Sequence, residues 1–207
     1  MRGLTSPASG NRSGHSLVEV LVTLVITSYG MLGLTGLMNG MHIVETEGFE
    51  RSQALVLLTD MAERISTGNP QTAAAAAAYA DPHTAGLSAP AGTGDSQPPD
   101  CSAVAAGGAR DVCEWSNALK GAAEKLGGNR VGAMSGARGC IELLQAPDPT
   151  TGTCTPATFR ISIAWQGLME SAAATSACGA GLYGKDSVRR VIAEQVTIGL
   201  PRCTVHD

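Results

Sequence analysis

Three sets of side chains in this sequence could do chemistry: a lone carboxylate at the head of an apolar run, six cysteines, and a scatter of histidines and loop acids. The carboxylate is Glu19, within Ser13-Gly14-His15-Ser16-Leu17-Val18-Glu19-Val20-Leu21-Val22, and residues 20–44 after it hold no Asp, Glu, Lys or Arg. A carboxylate beside a lipid-compatible run is unfavourable, which makes it a functional candidate by default. It has a second reading, at headgroup level near the positive end of the helix dipole. The cysteines, Cys101, Cys113, Cys140, Cys154, Cys178 and Cys203, all lie beyond residue 100. No two have C-x-x-C spacing, so a metal site is not indicated. An even count downstream of a membrane segment reads as disulfides in an oxidising compartment, with buried free thiols as the alternative. Pairing in sequence order would give 101–113, 140–154 and 178–203. His15, His42, His83 and His206 sit in no triad-like or metal-binding context, and Asp95 and Asp100 have no acid/base partner visible in the sequence. These residues specify no catalytic group, no metal and no cofactor, and they argue against an anchored enzyme.

The element that must position Glu19 is a helix. The 25 residues from 20 to 44 would rise about 37 Å as a helix, against a hydrocarbon core about 30 Å thick. Arg2 and Arg12 precede the run and favour a cytoplasmic N-terminus, which places the chain beyond about residue 45 outside the inner membrane. The run ends in Met38-Asn39-Gly40-Met41-His42-Ile43-Val44-Glu45, with no small-residue cleavage site and no nearby cysteine. That argues against an ordinary secretory signal and a lipoprotein signal. An uncleaved single-span anchor would explain the length and the arginines but not Glu19. Gly30, Gly33, Gly36 and Gly40 interrupt the helix pattern. They suit close helix packing, with Gly36 and Gly40 forming one G-x-x-x-G, or local loosening of the helix, or simply the glycine content of membrane helices.

Beyond the run, Leu55, Leu58, Met61, Ala62 and Ile65 recur at helical spacing and predict an amphipathic continuation to about residue 66, stopped by Thr67-Gly68-Asn69-Pro70. Six consecutive alanines in 71–80 suit a short helix, and 81–100, rich in Pro, Gly, Ser and Asp, reads as an exposed loop. Val112, Trp115, Leu119 and Ala122 predict a second helix over 109–126, closed by Gly127-Gly128, with Trp115 as a core anchor. Strands are predicted at Cys140 to Leu144, at Phe159 to Gln166, where apolar and other residues alternate strictly, and at Val188 to Ile198. Antiparallel strands laid across a long helix would form the core. Charged residues are 15% of the chain and mean hydropathy is +0.08, which excludes a disordered or polytopic membrane protein. Without the first 14 residues, 12 basic and 18 acidic side chains leave a net charge of −6, so no direct nucleic-acid partner is expected.

The segment around Gly14 resembles the class III signal peptide of type IV prepilins: a short basic leader, a glycine, an apolar mature N-terminus and a glutamate at its fifth position. Counting from His15, Glu19 is fifth; the departure is His15 itself, where the family usually has Phe. Gly30-Met31-Leu32-Gly33-Leu34-Thr35-Gly36-Leu37, Ser52-Gln53-Ala54, Asp60-Met61-Ala62-Glu63-Arg64-Ile65, Asn69-Pro70, Asp111 with Trp115 and Leu119, Gly127-Gly128, and Ile161-Ser162-Ile163-Ala164-Trp165 are similar to the PilV family of minor pilins.

The resemblance implies an α+β pilin fold: a long N-terminal helix, its first half transmembrane, packed on a small antiparallel sheet with a second helix. It implies a leader at 1–14 cleaved between Gly14 and His15 by a prepilin peptidase, with N-methylation at His15. It implies an assembly helix at 15–44, an amphipathic continuation at 45–70 and a head at 71–207. Glu19 would pair with the free amine of a neighbouring subunit and set axial register. The implied function is a structural or priming subunit of a type IV pilus, serving adhesion, twitching motility or DNA uptake. Its partners would be other minor pilins, the major pilin, the inner-membrane assembly platform and a tip adhesin. The chain would sit first in the inner membrane with its head in the periplasm, then in a cell-surface pilus. A minor pseudopilin of a type II secretion system shares the same plan and is the alternative.

Overall fold

The computed structural model describes residues 16–80, 90–122, 125–127, 129–130, 132 and 134–203. The chain divides into two compact units, 1–45 and 46–207. Helix α1, Leu17–Gly68, runs without a proline for 52 residues. It stops where the sequence demands: Asn69 takes φ 43° and Pro70 has no N–H to continue the ladder. Gly68 is required by a close approach, since a Cβ there would overlap the Tyr79 hydroxyl.

In the second unit, the face of α1 carrying Ala54, Leu58, Met61, Ala62 and Ile65 is buried. Leu55, expected on that face, is about half exposed. The stripe is set one residue earlier, by Ala54 and Leu58 four apart. The alanine run gives α2, Ala73–Ala77, capped by Thr72, whose hydroxyl accepts the Ala75 N–H. Helix α3, Gly108–Leu119, is shorter than the sequence pattern suggests. Gly121 takes φ 80°, its N–H bonds to Ala118 O, and the Ala122 N–H bonds to Asn117 O. That pair of bonds is a Schellman motif, and it ends the helix before Ala122 can join the apolar face. The expected extension to Leu126 is instead a two-residue ladder of β2, Lys125–Leu126, with β3, Asn129–Arg130.

The main sheet has the order β1-β4-β5-β6, with all pairs antiparallel. Its strands are β1, Ala91–Gly92; β4, Arg138–Gln145; β5, Ala157–Gln166; and β6, Arg189–Ile198. Strand β1 lies inside the segment expected to be a loop, and among its described residues, 90–100, Pro90, Gly92 and the Asp95 side chain are buried. Phe159, Ile161, Ile163 and Trp165 of β5 point at α1 and α3 and form the main core with Met61, Ile65, Trp115, Leu119 and Ile141. The opposite face of β5 is buried too, at Ser162 and Ala164. Cys140, Cys178 and Tyr183 form a second cluster there with Ala164. The half-buried strand read from alternation is therefore covered on both sides in its middle, by the 167–188 connection.

All six cysteines are in disulfides: Cys101–Cys113, Cys140–Cys178 and Cys154–Cys203. The first pair follows sequence order. The pairs 140–154 and 178–203 do not form, because strand register brings other partners together. The fold is α+β, with a long N-terminal helix on a small antiparallel sheet, as the sequence led us to expect.

Candidate functional site

Glu19 lies in the first turn of α1. Ser16 caps that turn: its Oγ accepts the Glu19 backbone N–H at 3.3 Å. Ser16-Leu17-Val18-Glu19 thus has the spacing of a capping box, which fixes the helix start three residues before the carboxylate. The S-x-x-E spacing is present in the sequence, and the bond it makes here is from the Glu19 backbone N–H to the Ser16 hydroxyl. Gly14 and His15 lie outside the described residues.

From Leu17 onward the apolar side chains Leu21, Leu24, Ile26, Leu32, Leu34 and Leu37 are exposed. The most apolar stretch of α1 has mean hydropathy 1.9, with none of it buried, and the helix is long and apolar enough to cross a membrane once. Its threonine and serine hydroxyls at 23, 27, 28 and 35 bond back to the helix carbonyls. Thr27 Oγ1 donates to Thr23 O, Ser28 Oγ to Leu24 O and Thr35 Oγ1 to Met31 O, at 2.6–2.8 Å. In lipid, where no water is available, such back-bonding removes the penalty of carrying hydroxyls. A Cβ added at Gly30, Gly33, Gly36 or Gly40 would meet nothing within 4 Å. Within one chain these glycines therefore relieve no contact.

The head holds the helix's C-terminal half through polar locks that the sequence signalled only in part. Arg64 Nη1 reaches Glu114 Oε2 at 2.7 Å and Asp111 Oδ1 at 3.7 Å, and Arg64 Nε reaches Asp60 at 3.0 Å. Trp115 Nε1 donates to Leu57 O at 2.8 Å. The Tyr79 hydroxyl donates to Asp111 at 2.7 Å. Burial, then the Asp111 hydrogen bond and its charge, push the Tyr79 phenol well above its ordinary value. Asp60, Arg64, Asp111 and Trp115, separated by up to 55 positions in sequence, thus meet in one α1–α3 seam.

Two glutamates nearer the start of the head were missed. Glu47 Oε1 accepts the Leu168 and Met169 N–H groups at 3.0 and 3.1 Å and pairs with Arg190 at 3.2 Å. Glu50, buried, accepts the Ser135 N–H at 3.2 Å. Their positions, three and four residues apart with Ala54, extend the buried stripe of α1 toward its N-terminus, which was the available signal.

Asp95 does have partners. It accepts from Lys120 Nζ at 2.6 Å, from the Ser116 hydroxyl and from the Gly92 N–H. Burial would raise its pKa, but these bonds outweigh burial and hold it below the usual carboxylate range. The contacts pin the 90–100 segment to α3. Asp100 is exposed, and bonds from the Ser102 N–H and hydroxyl lower its pKa. Among the described residues no group of three or more His, Cys, Asp or Glu could hold a metal ion. His42 is on α1, while His15, His83 and His206 lie outside the described residues.

The arrangement offers a lipid-compatible helix with a capped, acid-bearing start, and a head stapled by three disulfides. No protein-family model, curated protein or solved structure matches this chain.

Proposed function

We propose that this chain is a minor pilin of the PilV type, a structural and priming subunit that enters a type IV filament through α1. The observation that carries the reading is the charge pattern of that helix. Glu19 is the only Asp, Glu, Lys or Arg between Ser16 and Val44, and the apolar side chains that follow are exposed. In a bundle of such helices, a carboxylate with no counter-charge is strongly unfavourable. The amine liberated by cleavage after Gly14 would neutralise it at one axial stagger and strand both charges at others. Glu19 then sets register more than it adds stability. The disulfide-bonded head suits an oxidising compartment outside the inner membrane.

The test is twofold. Expressed with a prepilin peptidase, the chain should have an intact mass corresponding to a start at His15, with one added methyl group if the amine is modified. Glu19→Ala should be processed normally yet be absent from sheared filaments. A chain that keeps Met1 in peptidase-competent cells, or a Glu19→Ala chain incorporated at wild-type level, would overturn the reading.

A further inference from the structure

The sheet face turned away from α1 carries a built polar pocket of about 520 Å³. Its floor follows from strand register. Cys140, Ser162 and Ala193 form one cross-strand row, and Glu142, Arg160 and Gln195 the next. Two small side chains in the first row, Ser162 and Ala193, leave a depression in mid-sheet. Ser162 is 4% exposed, and its hydroxyl engages no hydrogen-bond partner among the described residues. In the second row Arg160 Nη1 and Glu142 Oε2 pair at 2.9 Å while each side chain stays partly exposed.

One wall is an arch over residues 174–178, which places Thr175 and Ser176 at the pocket. The arch is fixed twice. Cys178 is tied to Cys140 by a disulfide. Arg189, 2% exposed, donates to Ala174 O at 2.9 Å, Ser176 O at 2.7 Å and Cys178 O at 2.9 Å, and is held by Asp186. A buried guanidinium spent on three carbonyls of one short arch makes that arch rigid, and rigid walls reduce the ordering needed when a ligand binds.

We infer that this pocket binds a small neutral polyhydroxylated molecule, a saccharide unit. The charges at the rim are already paired, so the pocket presents no net charge to recruit an ion. The planar guanidinium and carboxylate edges instead offer donors and acceptors side by side, the pattern that vicinal hydroxyls satisfy. The Ser162 and Thr175 hydroxyls add groups that both donate and accept. The volume is in the range of small-ligand sites. This inference is independent of the role of the N-terminal helix.

The full chain, disulfide-bonded and held in phospholipid nanodiscs, should be titrated with glucose, galactose and N-acetylglucosamine by saturation-transfer NMR, with glycine as a zwitterionic probe. At least one sugar should bind saturably. Ser162→Val, which fills the floor, and Glu142→Gln, which unpairs the rim, should each weaken it by about tenfold or more, with disulfides and melting temperature unchanged. Should Ser162→Val fail to fold, Ala193→Val fills the same floor from β6 and carries the same expectation. No saturable sugar binding, binding unaltered in the variants, or a preference for glycine would overturn the assignment.

Discussion

Gly139 of β4 faces the main core, opposite Ile163. A methyl group there would overlap Trp115 Cη2 and Cζ3 and lie 2.8 Å from Leu119 Cδ1. Gly139→Ala would ordinarily help a strand, because glycine loses more backbone entropy on folding than alanine. Here the neighbours cannot yield. Trp115 and Leu119 are both fully buried, and the Trp115 indole is fixed by its 2.8 Å bond to Leu57 O. Overpacking a tight core costs about 1–3 kcal/mol. Moving the indole far enough to accept the methyl also breaks its bond to Leu57, leaving a buried donor unpaired at about 1–3 kcal/mol more. The expected loss is about 4 kcal/mol, or roughly 10 °C in the melting temperature of a head this size. Thermal melts in nanodiscs followed by tryptophan fluorescence provide the measurement. Gly199→Ala is the control, since a Cβ there meets nothing within 4 Å, and it should change stability by less than about 0.5 kcal/mol. In a Trp115→Leu background, Gly139→Ala should become much less harmful, because the two sites share one volume. If Gly139→Ala melts with Gly199→Ala, or if Trp115→Leu gives no relief, the packing argument is wrong.

Asp95→Asn should reveal an acid-dependent contribution. The native carboxyl is held below its ordinary range, so its stabilisation is complete above the unfolded-state pKa of about 3.9 and disappears as pH falls through the native value. The stability gap between wild type and variant should be flat from neutral pH to about 5 and close at lower pH; urea melts that show a constant gap into strong acid would contradict this. Replacing Cys140 and Cys178 together by alanine opens a loop of sequence separation 38. Chain entropy predicts a loss of about 4 kcal/mol, measured by the same melts under non-reducing conditions, and a loss below about 1 kcal/mol would show that the Arg189 clamp alone holds the arch.

The helix with its stop and the three long strands were legible because each carries a short-range signal. Residues 20–44 lack charge, Asn69-Pro70 cannot continue a helix, and β5 alternates. The seam of Arg64 with Asp111 and Glu114 was legible only as a set of separate positions, since nothing local says that two helices some 50 residues apart exchange charges. Helix α3 was overread because Ala122 keeps the helical period after Gly121 has already turned the chain. The 90–100 segment was underread because turn-forming composition says nothing about Asp95 being held by Lys120 and Ser116, whose partnership depends on α3 packing beside it.

The disulfides show how much a missing register hides. Taking the cysteines in order treats the head as consecutive loops, each closed on itself. An antiparallel sheet closes them differently. Ala157 pairs with Ile198, so the start of β5 lies beside the end of β6. Cys154, three residues before the one, and Cys203, five after the other, are therefore neighbours although 49 positions apart. Cys140 is opposite Ser162 on the outer face of the sheet, and the 167–188 connection crosses that face, bringing Cys178 Sγ within 3.7 Å of Ser162 O. Once three antiparallel strands are granted, the 154–203 pair follows from their ends alone. The 140–178 pair needs one further fact, that the β5–β6 connection covers the face away from α1. That covering buries Ser162 and Ala164, and it builds the polar pocket beside them.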